Sequence, residues 1–393
     1  MGFFKYYNFF LDNFITAFSF FGANIKGNSL NIILPVGISF YTFQTLSYTI
    51  DVYKRKLKPA NDFIAFSAFV SFFPQLVAGP IERATNLLPQ FYKKRIFNYS
   101  KAVDGMRQIL WGFFKKIVIA DNCAEFANQI FNNSTNMNSS ALILGAFFFA
   151  FQIYGDFSGY SDIAIGTSRL FGIHLMKNFA FPYFSRDIAE FWRRWHISLS
   201  TWFRDYLYIP LGGSRGNILM KIRNTFIIFI ISGFWHGANW TFIIWGALNA
   251  VYFLPLLLTN KNRDNLEIVA QEKYLPTVKE FLSMSVTFIL IIISWIFFRA
   301  ENIKAALNYL FRIFSFSFFT IPKFIKTDKA LVIIILIAFF IIIEWQGREK
   351  EYAMESFGQK WRRPFRWLFY SFIIFLIGIF MPSAESPFIY FQF

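Results

Sequence analysis

FLSMSVTFILIIISWIFF, residues 281–298, runs for 18 residues without a charge, and LVIIILIAFFIII, residues 331–343, for 13 without a polar side chain. A helix rises about 1.5 Å per residue and a hydrocarbon core is about 30 Å thick, so roughly 20 apolar residues make a span. These stretches read as bilayer-crossing helices. The second run widens to an apolar segment at 330–346, and outward from the two, further segments fall at 9–23, 30–50, 62–79, 106–120, 141–155, 222–236, 239–258 and 366–381. Several are too short to span alone. The pattern predicts an all-α polytopic membrane protein with about nine or ten transmembrane or re-entrant helices.

Composition agrees. Of 393 residues 58 are Phe, and only 16% are charged, against roughly 25% in a soluble domain. That excludes a disordered chain, a coiled coil and a typical cytosolic enzyme. The net charge is +16, but the basic residues sit in short connectors between apolar runs, as cytoplasmic loops do. The excess therefore points to a bilayer partner and multi-pass topology, not to nucleic acid. A single cysteine, Cys123, excludes an internal disulfide. No inverted repeat of the transporter kind and no soluble domain is visible, so 1–393 reads as one membrane domain.

The basic loops set orientation. Lys54, Arg55, Lys56 and Lys58 follow the second segment, and Arg83, Lys93, Lys94 and Arg95 follow the third. One span cannot have both ends on the cytoplasmic side, so segment 62–79, with Pro74 and Gly79-Pro80, is expected to be re-entrant. The alternative is a true span with a weak charge bias. Gly79-Pro80-Ile81-Glu82-Arg83 is expected to set an ion pair beside that turn.

In 187–216, Trp192, Trp195, Leu199, Trp202 and Tyr206 recur at three- and four-residue intervals, while Arg193, Arg194 and Arg204 keep the stretch from being a span. It reads as an amphipathic helix that lies at, or enters obliquely from, the cytoplasmic surface.

There are three histidines. His236 lies between Gly233 and Gly237, at the polar centre of 222–258, which reads as an interrupted helix pair. From Arg223 to Trp235 is about 12 residues, roughly 20 Å, too short to cross. His236 is therefore expected inside the membrane thickness, where an ionisable residue is a functional candidate. The alternative is a structural imidazole hydrogen-bonded at a helix interface. Neutral imidazole suits general-base work. Trp235 and Trp240 are expected to wall its pocket, and Asn239 to orient the imidazole or a carbonyl. His196 shares a predicted helix face with Arg193 and Ser200 and is a candidate either to bind a donor's phosphates or to assist His236; a plain interfacial His is the other reading. His174 is expected to be structural. Asp156 and Asp162 either line a cavity or cap a following helix. No His-x-x-His or HExxH pattern occurs, so no metal site is expected.

FWRRWHISLSTWFRDYLYIPLGG (191–213), GFWHGANW (233–240), VAGPIERA (77–84), YGDFSGYSD (154–162) and the closing PFIYFQF (387–393) together resemble the membrane-bound O-acyltransferase family. Within it they are similar to the bacterial branch of alginate and peptidoglycan O-acetyltransferases and the D-alanyl transfer protein of teichoic acids. The resemblance covers essentially the whole chain. It implies a helical ring around a thinned centre, with a cytoplasmic funnel for the acyl donor and an outer funnel for the acceptor. It also implies two or three apolar helices ahead of the segment that begins Gly2-Phe3-Phe4-Lys5. The family's membrane-embedded histidine maps to His236 and its second histidine to His196.

The expected function is then transfer of an acyl group, acetyl first, onto a hydroxyl of an exported polysaccharide or onto a partner transferase. No bound cofactor is expected; acetyl-CoA or an acyl-carrier thioester enters as substrate, its phosphates met by Arg193 and Arg194. The bacterial cytoplasmic membrane is the expected location, and an extracytoplasmic acyltransferase or glycan-export protein the expected partner. The competing reading, a transporter or flippase with His236 as proton relay, wants a chain of buried carboxylates that the apolar runs do not advertise.

Overall fold

The computed structural model describes residues 2–22, 25, 27–33, 35–322, 324–382, 388 and 389; of the closing PFIYFQF only Phe388 and Ile389 fall among them. The described residues form fifteen α-helices and no strand. In chain order these are α1 (Gly2–Phe20), α2 (Ile38–Tyr53), α3 (Phe63–Val70), α4 (Ala84–Tyr92), α5 (Tyr99–Phe113), α6 (Asp121–Asn132), α7 (Ser139–Leu170), α8 (Ile188–Arg194), α9 (Ile197–Phe203), α10 (Ile218–His236), α11 (Trp240–Leu258), α12 (Val278–Arg299), α13 (Ile303–Ile313), α14 (Thr327–Gly347) and α15 (Arg363–Ile379). A π-turn, Phe114–Ala120, joins α5 to α6 without a break. Asparagine starts many of them: Asn98, Asn138, Asn217, Asn239 and Asn302 each accept a first-turn backbone N–H. Thr277 and Glu280 make a reciprocal cap on α12.

Five helices, α7, α10, α11, α12 and α14, are long and apolar enough to cross a bilayer. The chain is a multi-pass membrane protein. The remaining expected elements are shorter or more polar. The expected re-entrant segment 62–79 contains only the eight-residue α3, about 12 Å of helix, and then leaves helical geometry.

The centre of the molecule is α7, buried along most of its 32 residues. It lies backbone to backbone against α5. A Cβ on Gly105 would meet the Gly166 carbonyl oxygen at 2.7 Å, and one on Gly112 the Gly159 oxygen at 2.7 Å. Small residues are how membrane helices approach this closely. The same device joins α10 to α11, where Gly233 faces the Phe242 carbonyl and Gly246 the Phe229 carbonyl.

Helix ends sort to two sides. On one side the loops after α7, α11 and α14 are tied together: Lys177 donates to the Lys350 carbonyl, Arg193 to that of Asn262 and Arg348 to that of Val269. On the other, Asn239 donates to the Glu301 carbonyl, Asn138 to that of Ile321, and Arg299 to Asn128. The first side also carries Arg215, Lys221 and Arg223 at the start of α10 and Arg362 and Arg363 at the start of α15. It is the basic end.

Two expectations need correction. The stretch 187–216 is not one helix: His196, at φ 45°, breaks it into α8 and α9, and Arg204–Tyr208 continues as a π-turn. Nor is it superficial, because Trp195, Leu199 and Trp202 are all buried. The stripe is therefore a core-facing stripe. The length argument for His236 also changes. Its helix begins at Ile218, five residues before Arg223, and its 19 residues span about 28 Å. That is close to a full crossing, which puts His236 at the end of α10 remote from the basic end.

Candidate active site

His236 is the last residue of α10. The chain leaves helical geometry at Gly237, and Asn239 restarts it as the cap of α11. A Cβ on Gly237 would lie 2.1 Å from the Phe242 ring, so only glycine allows this tight reversal. The imidazole is 6% exposed and boxed by rings edge-on: Trp235 at 4.8 Å, Trp245 at 5.1 Å and Phe298 at 5.2 Å between centroids. It lines a cavity of about 250 Å³ together with Lys5, Phe40, Val77, Trp235 and the 35–39 turn.

His196 sits at the α8–α9 break in a left-handed conformation, a strained state for a side-chain-bearing residue that costs about 1–3 kcal/mol and tends to mark functional positions. Asn178 explains its ring orientation. Its side-chain oxygen accepts from the backbone N–H of Ser198 at 3.3 Å, from the Ser198 hydroxyl at 2.8 Å and from His196 Nδ1 at 3.1 Å, while its amide donates to Ser161. An acceptor there assigns the proton to Nδ1 and leaves the lone pair on Nε2, which has no hydrogen-bond partner among the described residues. Burial pushes the His196 pKa down to about 3, so the ring is neutral at physiological pH.

The two histidines converge on one tryptophan. Trp235 lies 4.8 Å from His236 and 6.2 Å from His196, between ring centroids. The structure thus brings together His196, Trp235 and His236, three of the six residues singled out from sequence.

The other three are placed elsewhere. Arg194 pairs with Glu190 at 2.8 Å and donates to the Ala180 carbonyl. Arg193 donates to the carbonyls of Asn262 and Asn265. Both guanidinia tie down neighbouring chain, because short α8 turns them toward the 260–267 loop. Asn239 is a helix cap that accepts from Thr241 and donates to Glu301; it does not orient the imidazole. Trp240 is half exposed and donates to Asn13, so Trp245, not Trp240, walls the pocket. Glu82 and Arg83 do not pair with each other's side chains. Glu82 accepts from Asn86 and Met176, and Arg83 reaches Asp205 at 3.0 Å. His174 is exposed and engages Gln90 through its backbone.

Asp156 and Asp162 lie mid-α7 and cap no helix; Asp162 lines a small cavity with Tyr154 and Ser158, the other outcome expected for the pair. The charged groups that pair with these two were missed by sequence reading. Lys116 meets Asp156 and Asp121 at 2.7 Å each. Lys115 meets Asp162 at 2.8 Å and Glu344 at 3.4 Å, and Glu344 also accepts from Trp111 and Tyr154. The signal was present as Lys115-Lys116 within an apolar run and Glu344 after three isoleucines. A cationic groove of about 740 Å³ lies between the end of α4, the start of α5 and the end of α7. Lys93, Lys94, Arg95, Lys101 and Arg169 line it, and no carboxylate does.

With this geometry in view, the comparison with known proteins is direct. Residues 57–286 match the model of the membrane-bound O-acyltransferase family. The chain belongs to that family. It is 39% identical over 359 residues to a probable alginate O-acetylase of Azotobacter vinelandii, covering 91% of this chain and 69% of the relative. It is 40% identical over 336 residues to the peptidoglycan O-acetyltransferase of Helicobacter pylori, covering 79% and 61%. A teichoic acid D-alanyltransferase of Streptococcus thermophilus is 30% identical over 295 residues, covering 67% and 68%. The chain spans roughly two thirds of the length of these relatives. It is an O-acyltransferase.

Proposed function

We propose that the chain moves a short acyl group, acetyl first, from a thioester donor at the cytoplasmic face to a hydroxyl of an exported polysaccharide or to a partner transferase, with His236 as general base. The observation that carries this is a buried imidazole lining a cavity of about 250 Å³ at a broken helix end, remote from the basic end. In the step, an imidazole nitrogen takes the acceptor's hydroxyl proton as the oxygen attacks the thioester carbonyl carbon. The tetrahedral intermediate collapses, the C–S bond breaks, and the imidazolium returns the proton to the leaving thiolate. Trp235, Trp245 and Phe298 exclude water that would hydrolyse the thioester. His196, fixed by Asn178 and lying at a tilt 6.2 Å from the Trp235 ring, positions that wall.

The positive-inside rule supports a cytoplasmic basic end, in a bacterial cytoplasmic membrane like that of the organisms in which the relatives occur. With Arg193 and Arg194 held by loop carbonyls, the groove of Lys93, Lys94, Arg95 and Lys101 is the better place to meet a donor's phosphates. Acetyl-CoA and an acyl-carrier thioester both fit that chemistry. The relatives' names favour alginate and peptidoglycan as acceptors; an extracytoplasmic transferase or glycan exporter is the partner this reading proposes.

The test is acyl incorporation from labelled acetyl-CoA in proteoliposomes, with mannuronate oligomers and peptidoglycan fragments as acceptors. His236→Ala is expected to lose transfer while reaching the membrane at wild-type level; retained transfer refutes the mechanism. The transporter reading predicts solute uptake without acylation. The buried carboxylates of α7 and α14 lie within 3.4 Å of a lysine, which favours closed ion pairs over a relay to His236.

A further inference from the structure

Among the described residues, Lys5 is the one ionisable side chain that shares the His236 cavity. It comes from α1, 231 residues away in sequence, and donates to the His236 carbonyl at 2.7 Å and the Trp235 carbonyl at 3.0 Å. Those carbonyls end α10, where the helix dipole is negative and favours a cation. Tyr6 beside it caps the same turn by donating to the Phe234 carbonyl at 3.0 Å, and its ring stacks on Phe234 at 4.3 Å. Capping alone therefore already has a residue. Lys5 differs from Tyr6 in two respects. It makes no ion pair among the described residues, and it lines both the 250 Å³ cavity and a second one of about 400 Å³ that Asn239, Arg299 and Glu301 also line. An ammonium has three N–H donors, and two are given to the carbonyls. The third belongs to an ammonium that makes no ion pair among the described residues and is held beside the proposed base by the two carbonyls.

We propose that the Lys5 ammonium receives the negative charge that develops on the acyl carbonyl oxygen while His236 takes the acceptor's proton. The inference rests on reading His236 as the base. As the acceptor oxygen bonds to the carbonyl carbon, the C=O π pair moves onto oxygen and Lys5 donates to it. As the C–S bond breaks, the pair returns to re-form C=O, the hydrogen bond to Lys5 weakens, and the thiolate takes its proton from the imidazolium. No other reactant is needed. A donor fixed before the reaction is the arrangement that stabilises a transition state more than its ground state.

Lys5→Gln is the informative variant, because its amide still donates to two carbonyls and preserves the cap without the charge. Lys5→Arg keeps donors and charge. Both are measured in proteoliposomes by thiol release from acetyl-CoA with mannuronate oligomers as acceptor. Losing a single oxyanion donor typically lowers kcat by about 100- to 1,000-fold. Lys5→Gln is expected to fall by about that factor with KM for acetyl-CoA and the unfolding temperature near wild type, and Lys5→Arg to keep a kcat at least about tenfold above Lys5→Gln. Tyr6→Phe is expected to shift the unfolding temperature and leave kcat close to wild type. Equal kcat in Lys5→Gln and Lys5→Arg, or a Lys5→Gln loss that follows its unfolding temperature as Tyr6→Phe does, overturns the proposal. Activity surviving His236→Ala would instead refute the reading of the base, so the two failures are distinguishable.

Discussion

Gly233→Ala is a test of how tightly the α10–α11 contact holds the site. The added Cβ would sit 2.2 Å from the Phe242 carbonyl oxygen, where ordinary contact begins near 3.4 Å. The obstruction is backbone, so no rotamer change relieves it. The facing Gly246 has its own backbone contact, with the Phe229 oxygen at 2.2 Å from its ideal Cβ, which prevents the pair from sliding along the seam. The helices must part by about 1 Å, and His236 is three residues along the moving strand of helix. Overpacking of this kind costs about 1–3 kcal/mol, and a 1 Å misplacement of a reacting group about 100-fold in rate. The expected result is a kcat near 1% of wild type with the protein still in the membrane. Gly378→Ala is the control, because nothing lies within 4 Å of its ideal Cβ. Gly233→Ala within threefold of wild-type kcat would refute the claim that this seam sets the position of His236.

Lys115→Met leaves Asp162 and Glu344 buried without their shared cation, so stability is expected to fall by about 3–5 kcal/mol. A thiol-reactive fluorophore reporting exposure of the buried Cys123 measures it in detergent; an unfolding temperature equal to wild type would contradict the assignment. For His196 the sign is set by burial. Its folded pKa of about 3 lies below the ordinary value near 6.5, so the unfolded chain gains the proton first as pH falls. The His196 contribution to stability is full above about pH 6.5 and is lost progressively toward pH 3. Tryptophan fluorescence melts between pH 7.5 and 5 should therefore fall more steeply for wild type than for His196→Gln; parallel slopes would count against it.

Much of the site was legible because it rests on local features. Gly237 directly after His236 signals the helix end there, and His196 stands out because ionisable residues are sparse in so apolar a chain. What misled was periodicity. Trp195, Leu199 and Trp202 recur at helical spacing, but the spacing reveals neither the break at His196 nor whether the residues face lipid, water or protein. Here they face protein. The arginines were misread for the same reason: their targets, the carbonyls of Asn262, Asn265 and Ala180, are remote in sequence or on another element.

By itself the sequence determined the membrane class and the O-acyltransferase family, and it put two histidines forward as candidates. These follow from run length, charge sparsity and short contiguous motifs, all properties of neighbouring residues. Only the tertiary structure decided what surrounds them. Lys5 reaches the end of α10 across 231 positions, Glu344 meets Lys115 across 229, and Asn178 selects the His196 tautomer from the loop before α8. Such pairings depend on which helices lie side by side, which backbone-close glycine seams settle. No local pattern encodes that choice, because one lysine in an apolar flank looks the same whether it anchors a loop or faces a reacting carbonyl.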